Sequence, residues 1–463
     1  MTNRMNILDL KKLAKEFQDI DQLIQVIPLL KKMPTVEVAE VLLRLDTFYI
    51  MDLLFRFSPE QQGLLYAEFP VRLQLDIFQG LSKKKFVSFF ENMPSENRAD
   101  LFQHFSQEEQ VLLLPYLSKK VQENVIELSS YPPETAGGIM STDFATVVKS
   151  MSCAEAIAKV RSDAPSKRTI YYTYVVDADQ KIQGFITLKD LILAHPETLV
   201  EEALHTDFVW VYVDEDRKKV AEKIEKYDLV AIPVLNRGNQ LVGIVMHDDA
   251  IEIIRAEHTE NMEKFMGIVP AREESAYLDT SSWKHFKKRM VWIVSLAAVG
   301  IISGLIIHSY ENALEKLLIL ALYMPMVADT GGNSGSQAAT VVVRALALGQ
   351  VTPRSWLRIL WKEAKISLLL ALCLSVLAYG KVLFLSWETE IPTAYSLESI
   401  AFMISLALAL QVITATVIGA GLPLLVNRFG GDPAVAASPA ITTVVDITGL
   451  LIYFGMATLF FAL

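Results

Sequence analysis

The 463-residue sequence has few of the residues that mark a secreted or disulfide-stabilised protein. It contains two cysteines, Cys153 and Cys373, which are too few for a disulfide framework and too far apart for a cysteine metal site. We expect both thiols to be inert. The N-terminal stretch MTNRMNILDLKKLAKEF is charged and amphipathic and has no apolar core, unlike a cleaved signal peptide. These absences predict that the N-terminal half of the chain stays in the cytosol.

Basic residues are also in the minority, which bears on the choice of partner. Lys and Arg number 43 against 53 Asp and Glu, a net charge of −10. Residues 286–463 carry 11 basic and 9 acidic side chains, a net of +2, so the first 285 residues carry −10 − 2 = −12. Nucleic acid is excluded as a partner because its binding needs a basic face. Clustered carboxylates favour divalent cations, and a solvated acidic surface is the alternative.

Long apolar runs are missing before residue 285 and dominate after it. Because about 20 apolar residues cross a bilayer as a helix, the C-terminal domain, residues 286–463, is predicted to be a bundle of five spans. The predicted spans are Met290 to Tyr310, Leu317 to Val343, Ile366 to Trp387, Ser399 to Asn427 and Pro433 to Leu463.

Charges at the ends of these spans predict their orientation. Lys and Arg cluster before the first span, between the second and third, and at Arg428, whereas Glu residues follow the first and third spans. Since cytosolic loops are enriched in Lys and Arg, we expect a multi-pass protein of the plasma membrane with a cytosolic N-terminus and an external C-terminus. An odd number of spans favours a symmetric homodimer with its path near the twofold axis.

Two different patterns fill the soluble half. Residues 1–130 are rich in Leu, Phe, Lys and Glu at helical spacing, which predicts a small all-α solenoid with a packing and regulatory role. A repeat then follows, in which Gly184 and Asp190 match Gly243 and Asp249. Each copy is predicted to be strand, turn, strand and helix. This resembles the tandem CBS (cystathionine beta-synthase) module, an α+β pair, with copies at 131–199 and 200–247.

Residues 248–285 are predicted to form an amphipathic connecting helix and a linker. Four acids of this helix, Asp249, Glu252, Glu260 and Glu263, share one arc of about 80° at 100° per residue. If this stripe faces other carboxylates, closure is repulsive unless a divalent cation lies between them. The candidate opposing acids are Asp216, Asp228 and Asp248. The pattern predicts a cation-dependent switch, with a solvated face as the alternative.

Polar residues are costly inside a membrane, and the second and fifth spans concentrate them. In MPMVADTGGNSGSQAAT, Pro325 and the glycines predict a break in the helix with exposed carbonyls, beside polar side chains that line a wet cavity. The residues of this motif are Gly331, Gly332, Asn333, Gly335, Ser336 and Gln337.

In the fifth span, Ser438, Thr442 and Asp446 recur every four residues and share one face. A carboxylate two turns below two hydroxyls predicts a cation site. The alternatives are an Asp446 that only bonds a neighbouring helix and hydroxyls that bond back to their own helix.

The domain order, together with the segments P-x(5)-GGN-x-G-x-Q and DP...SP...D-[IV]-TGLLIY, resembles the MgtE family of magnesium channels across the whole chain. The resemblance implies a homodimer in which Asp446 holds a largely hydrated Mg²⁺ and Asp432 concentrates cations at the cytosolic mouth. Ser438 and Thr442 depart from the family pattern, where Asn and a small residue can stand, and so does Asp329. Because Ser438 and Thr442 lie along the expected ion path, they leave selectivity among Mg²⁺, Mn²⁺ and Co²⁺ open, whereas Asp329, where a small residue is expected, has no evident role.

The same resemblance implies regulatory Mg²⁺ sites that hold the channel closed when cytosolic Mg²⁺ is high. The matching or neighbouring acids are Asp216, Asp228, Asp249, Glu252, Glu257 and Glu260, to which the helix pattern adds Asp248. CBS pairs often bind adenine nucleotides, so the resemblance also implies an ATP site, for which no particular residue stands out.

The sequence therefore predicts a multi-domain membrane protein: helical solenoid, CBS pair, connecting helix and five-helix bundle. Its predicted function is passive, Mg²⁺-gated influx of Mg²⁺. The alternatives are a channel for Mn²⁺ or Co²⁺ and a membrane-anchored divalent-cation sensor. No enzymatic role is predicted, because the sequence has no Walker motif, His/Glu metal cluster or nucleophile constellation.

Overall fold

The structure is a computed structural model that describes residues 27–270, 277–278, 280–436 and 438–462. The chain divides between Arg255 and Ala256 into two compact units, called here the soluble unit and the membrane unit. Each unit is described by itself.

The soluble unit begins with a stack of short helices. Pro or Ser stands at most of their N-caps, and the Ser58 and Ser106 hydroxyls accept hydrogen bonds from backbone N–H groups in capping boxes. Their apolar faces meet in an aromatic core that includes the fully buried Phe78, Phe86 and Phe89. The helices are α1 (Thr35–Leu42), α2 (Thr47–Leu54), α3 (Pro59–Ala67), α4 (Val71–Gly80), α5 (Lys83–Glu91), α6 (Ser95–His104), α7 (Gln107–Leu113) and α8 (Lys119–Ser129). The predicted solenoid is confirmed over the described part of residues 1–130, and its first 26 residues lie outside that part.

Two small three-stranded sheets follow, and they confirm the repeat. In each sheet the first strand pairs parallel and the third antiparallel with the middle one, and Gly184 and Gly243 occupy equivalent register positions opposite Val175 and Val234. The strands are β1 (Ala145–Val147), β2 (Tyr172–Val176), β3 (Ile182–Thr187), β4 (Val211–Tyr212), β5 (Ala231–Leu235) and β6 (Leu241–Met246). The short helices around them are α9 (Ala136–Ile139), α10 (Cys153–Asp163), α11 (Leu188–Leu193), α12 (Val200–Ala203) and α13 (Arg217–Lys226).

The matched acids of the repeat perform the same local task. Asp190 accepts a hydrogen bond from the Thr187 N–H at 3.1 Å, just before α11. Asp249 accepts one from the Met246 N–H at 3.4 Å, just before α14 (His247–Phe265). Each carboxylate therefore satisfies a backbone donor at the N-terminus of a helix.

The membrane unit consists of long helices. They are α15 (Ser282–Val299), α16 (Ile301–Ser309), α17 (Glu311–Lys316), α18 (Ile319–Ala347), α19 (Trp356–Leu385), α20 (Leu397–Arg428) and α21 (Ser438–Phe461). Among the described residues, four helical stretches are long and apolar enough to cross a membrane: Ser282–Ser309, Trp356–Leu385, Leu397–Arg428 and Ser438–Phe461. Helix α18 has 29 residues but carries the polar GGNSGSQ segment. With α18 as the fifth long helix, the predicted bundle is confirmed as a fold.

The expected break in the second span is wrong, because α18 continues through Pro325 and all three glycines. The glycines serve close packing instead. A Cβ on Gly419 of α20 would lie 2.0 Å from the Gly335 carbonyl oxygen, so the two backbones cross in direct contact. The fifth span also differs at its start, since Pro433–Val435 forms a short 3₁₀ turn and the helix begins at Ser438.

Candidate functional site

A line of polar residues runs along the contact between α18 and α21. Ser438 donates a hydrogen bond to the Ser336 hydroxyl at 3.1 Å, and the Ser336 and Thr442 hydroxyls are 3.3 Å apart. A Cβ on Gly332 would lie 3.0 Å from Thr442 Cγ2 and 3.7 Å from Asp446 Oδ1. Residue numbers rise along one helix as they fall along the other, so the two helices are antiparallel here.

Asp329 extends this line by one turn, because it precedes Gly332 by three residues on the same helix. It interacts electrostatically with Asp446. We call the six residues Asp329, Gly332, Ser336, Ser438, Thr442 and Asp446 the seam.

Ser438, Thr442 and Asp446 share one face of α21, as predicted. The structure also shows whether the hydroxyls bond to their own helix or across the interface. Thr442 does bond back to the Ser438 carbonyl at 3.1 Å, as the alternative interpretation has it, but it also contacts Ser336 across the helix interface. Asp446 is half-buried, and within the described residues no Lys or Arg pairs with it. A carboxylate beside hydroxyls and a bare glycine backbone is a set of oxygen ligands for a hard cation.

The other polar residues of the second span are not brought together with Asp446. Asn333 and Gln337 are exposed and lie off the face of α18 that carries Gly332 and Ser336. Gly331 and Gly335 face α20 and the buried side of α21. That this whole motif lines an ion path stays a prediction.

Asp432, the predicted acid of the cytosolic mouth, is held by a lysine. Lys264, near the end of α14, places its Nζ 2.9 Å from Asp432 Oδ2 and 2.7 Å from Glu260 Oε1. Burial tends to lower the pKa of Lys264, but the hydrogen bonds to the two carboxylates outweigh it and the pKa is raised. Asp432 also accepts the Ala434 N–H at 2.9 Å. A tethered ammonium therefore lies at the start of the segment that leads into α21.

Two predicted regulatory acids meet an arginine in the soluble unit. Arg168 Nη2 lies 3.0 Å from Asp248 and 3.5 Å from Asp249, and its Nη1 pairs with Glu96, whose side chain is only 9% exposed. Burial, together with the charges of Glu96 and Asp248, raises the pKa of Asp249 to about 7, although Arg168 opposes the rise. Asp249 is thus crowded by like charges that a single guanidinium does not fully offset.

The remaining predicted regulatory acids are spread along the chain. Asp216 caps α13 by accepting the Lys218 N–H at 2.8 Å, and Asp228 occupies a left-handed turn with φ of 50°. Glu257 accepts a hydrogen bond from Asn261 at 3.2 Å. Over the described ranges, no group of three His, Cys, Asp or Glu side chains is close enough to hold a metal ion. The regulatory assignment of these acids, Glu252 among them, stays a prediction.

Three residues were not singled out from the sequence: Arg168, Lys264 and Gln411, whose buried amide donates a hydrogen bond to the Val445 carbonyl at 2.8 Å. Arg168 is 72 residues from Glu96 and Lys264 is 168 residues from Asp432, so no local pattern connects the partners. Gln411 did carry a signal, because it is an amide in the middle of an otherwise apolar span.

The CBS pair contains a cavity of about 310 Å³. Its walls are largely aromatic and aliphatic, with one carboxylate: Tyr172, Tyr174, Phe185, Asp207, Phe208 and Tyr227 are among the lining residues. Flat apolar walls with a single acid fit a ligand that has a planar ring and a polar edge.

Comparison with known proteins agrees with this arrangement. Family models match at residues 12–134 (MgtE intracellular N domain), at 136–197 and 200–256 (CBS domain), and at 324–456 (MgtE, divalent cation transporter). The magnesium transporter MgtE of Thermus thermophilus is 36% identical over 74% of this chain and 74% of its own length. The magnesium transporter MgtE of Bacillus subtilis is 30% identical over 89% of this chain and 91% of its own length.

A solved structure described as the soluble part of a magnesium transporter is 27% identical, with a TM-score of 0.51, over 54% of this chain and 99% of that one. The apolar helices and the CBS pair, together with these matches, identify the class as a membrane transporter of divalent cations. At the identity and coverage found, the chain belongs to the MgtE family of magnesium transporters.

Proposed function

We propose that this member of the family is a Mg²⁺ channel of the plasma membrane, which conducts passively along the seam and closes when cytosolic Mg²⁺ is high. The observation that carries the proposal is Asp446, a half-buried carboxylate in a membrane helix, which shares its helix face with the hydroxyls of Thr442 and Ser438 and is paired with no base in the described chain. A buried charge of this kind is costly unless a cation compensates it. Mg²⁺ suits such a site because it gives up its water reluctantly and needs few direct protein ligands.

Magnesium flux into liposomes tests the path. Asp446→Asn removes the charge and keeps the shape, so we expect flux to fall by at least about tenfold, the equivalent of about 1.4 kcal/mol. Glu398→Gln, at the start of α20 and outside the seam, is the matched control and should conduct like the wild type. Undiminished flux through Asp446→Asn would refute the ion path. Competition by Mn²⁺, Co²⁺ and Ca²⁺ in the same assay separates the magnesium channel from a channel for other divalent cations, and absence of any flux would favour a membrane-anchored sensor.

The proposed gate involves the acids of α14 and the CBS pair, which repel one another unless a divalent cation or a base lies between them. Neutralising Glu252, Glu257 and Glu260 together should leave currents that no longer fall as internal Mg²⁺ rises. Currents that keep their dependence on internal Mg²⁺ would exclude these acids from the gate. The control is Glu222→Gln, on α13, which should keep the wild-type dependence.

The assembly and orientation proposed with this function are a homodimer with cytosolic N-terminus and external C-terminus. The exposure of helices α15 and α16 supports this proposal: neither helix buries a residue within the chain, so a second copy or lipid would cover their apolar surface. Cysteine accessibility at the two termini and native mass measurement in detergent test both points.

A second ligand is favoured by the aromatic cavity of the CBS pair, for which we propose an adenine nucleotide. The wall formed by Tyr172 and Phe185, whose ring centroids are 5.2 Å apart, offers apolar faces to a purine, and Asp207 offers an acceptor to ribose hydroxyls. Calorimetric titration with ATP should show binding that Asp207→Ala weakens. Equal affinity in both proteins would place the nucleotide elsewhere.

A further inference from the structure

We propose that Gln411 of α20 is a positioning residue for Asp446: its amide fixes the height and rotation of α21 against α18. The inference rests on the proposed function, in which Asp446 faces the transported cation. Gln411 itself lies behind the seam and is 0% exposed, so it does not contact the ion path directly.

The amide of Gln411 is clamped between two helices. Its Nε2 donates a hydrogen bond to the Val445 carbonyl at 2.8 Å, one residue before Asp446. Glycines on both sides make the room: a Cβ on Gly331 of α18 would lie 2.4 Å from this nitrogen, and one on Gly449 of α21 would lie 2.6 Å from it. No larger residue fits at either glycine without displacing the amide.

This clamp is directly coupled to the seam. Gly331 and Val445, which touch the amide, are the chain neighbours of Gly332 and Asp446, which face each other across the seam. A rotation of α21 that broke the bond to Val445 would therefore also turn Asp446 away from Gly332, since adjacent helical residues are linked rigidly.

The amide is a poor choice for stability alone. Gln411 Oε1 is buried and accepts no hydrogen bond from the described residues. Burying an acceptor without a partner is unfavourable, and an unbranched apolar side chain of similar length such as Met would avoid that cost. What Met would not supply is the directional bond to Val445. The geometry therefore assigns the side chain to alignment.

Tyr453→Phe provides a matched control for the test. Tyr453 is also 0% exposed, and it also ties α21 to a neighbouring helix, in this case α18, through a hydrogen bond from its hydroxyl to the Leu320 carbonyl at 2.9 Å. It lies about two turns from Asp446. Removing its hydroxyl deletes one buried hydrogen bond of α21, as Gln411→Met does, without touching the seam.

The experiment compares Gln411→Met, Gln411→Asn, Tyr453→Phe and the wild-type full-length protein in liposomes. It measures the Mg²⁺ concentration that gives half-maximal flux, the ratio of Mg²⁺ to Mn²⁺ flux, and the melting temperature. We expect Gln411→Met to shift the half-maximal concentration by about fivefold or more and to change the flux ratio, because small misplacements of a site are felt strongly. Gln411→Asn keeps the amide on a shorter side chain and should give a smaller shift of the half-maximal concentration. This variant still tests the inference if Gln411→Met does not fold. Tyr453→Phe should change neither quantity.

The inference is overturned if the folded Gln411 variants match the wild type in both flux quantities, or if Tyr453→Phe shifts them as much. Asp446→Asn, measured in parallel, separates this failure from that of the proposed function. Loss of flux in Asp446→Asn beside normal Gln411 variants refutes the positioning role alone, whereas normal flux in Asp446→Asn refutes the ion path on which it depends.

Discussion

Two groups of acids in this protein are held in opposite ways. In the soluble unit, Asp248 and Asp249 share the guanidinium of Arg168 with the buried Glu96. In the seam, Asp446 and Asp329 interact with each other, and no base of the described chain pairs with either. The first group is paired with a cationic side chain of the protein itself, whereas the second leaves its charge without a protein cation among the described residues. Under the proposed function, the same residue type serves cohesion in one unit and transport in the other.

Asp432, the acid that we predict to lie at the cytosolic mouth, is intermediate between these cases. Asp432 leads into α21 but is paired with Lys264, which belongs to α14. Because Lys264 and Asp432 belong to different segments, a movement of α14 can separate the two charges while the lysine stays part of the protein.

Four predictions test this comparison, in order of decreasing expected effect.

The largest effect is expected where α18 and α20 cross. Gly419→Val places a side chain where the Gly335 backbone lies, 2.0 Å from the position of the Cβ, so the helices must separate. We expect a loss of about 3 kcal/mol or more and little folded protein in detergent, measured by monodisperse yield and melting temperature. Gly380→Val is the control, because nothing lies within 4 Å of its Cβ position. Normal yield of Gly419→Val would show that the crossing of α18 and α20 is not rigidly packed.

Arg168→Gln removes the guanidinium that Glu96, Asp248 and Asp249 share and leaves the three acids together. We expect its melting transition to indicate a loss of about 2 kcal/mol or more, since the buried Glu96 loses its ion-pair partner. Saturating Mg²⁺ should recover more stability in the variant than in the wild type. Arg237→Gln breaks an exposed pair with Asp214 and should cost less than about 1 kcal/mol. An Arg168→Gln protein that is stable without Mg²⁺ would contradict the contrast between the two groups of acids.

The caps Asp249 and Asp190 should give opposite pH dependences. Because the pKa of Asp249 is raised to about 7, the folded state binds its proton more tightly than the unfolded state does. Its contribution to stability is therefore lost as the pH rises from about 4 to about 7. The pKa of Asp190 is lowered, since hydrogen bonds from Thr187 and His205 outweigh burial, so its contribution is lost as the pH falls.

Thermal unfolding measured across this pH range tests whether each carboxylate raises or lowers stability as the pH rises. The wild type should lose stability above about pH 5, and Asp249→Asn should reduce that loss by about 1 to 3 kcal/mol. The groups that face Asp249 stay in place in this variant: Glu96, Asp248 and Arg168. Asp190→Asn should instead reduce the loss of stability in acid. If both variants changed the dependence of stability on pH in the same direction, the two caps would have equivalent surroundings.

The smallest effect is expected at the mouth. Lys264→Met removes the tethered ammonium, so Asp432 and Glu260 attract cations more strongly, and we expect Mg²⁺ flux to rise about twofold to fivefold. Lys264→Arg keeps the charge and should leave the flux near the wild-type value. Unchanged flux in Lys264→Met would remove Lys264 from the control of ion entry.

Local patterns predicted the local features of the fold. The repeat that matches Gly184 with Gly243 correctly predicted both hairpins, and the spacing of Ser438, Thr442 and Asp446 correctly placed them on one face. Propensity misled at Gly331, Gly332 and Gly335, which weaken an isolated helix but here admit a neighbouring backbone or amide. A sequence alone does not show whether a glycine is flexible or crowded, because the answer depends on another helix.

The site was predictable only in part for the same reason. Asp446 was identified because a carboxylate in an apolar span is rare. Its clamp at Gln411 and the pairing of Asp432 with Lys264 depend on contacts across 34 and 168 residues. For Asp329 the sequence offered no role, and only the register of α18 against α21 brings it within electrostatic reach of Asp446.

The uncovered helix of the membrane unit has a consequence for how the protein meets lipid. The stretch Ser282–Ser309 has 28 residues, but its apolar part begins at Met290 and is about 20 residues or about 30 Å long, close to the thickness of the hydrocarbon core. Its first turns carry Lys284, Lys287 and Lys288, which belong at the headgroups, and the stretch packs on the rest of the unit through partly buried residues such as Ile306 and Ile307 but buries none completely. A bilayer thicker or thinner than about 30 Å therefore acts first on the tilt of this helix, and bilayer thickness becomes a variable to be controlled in every flux measurement.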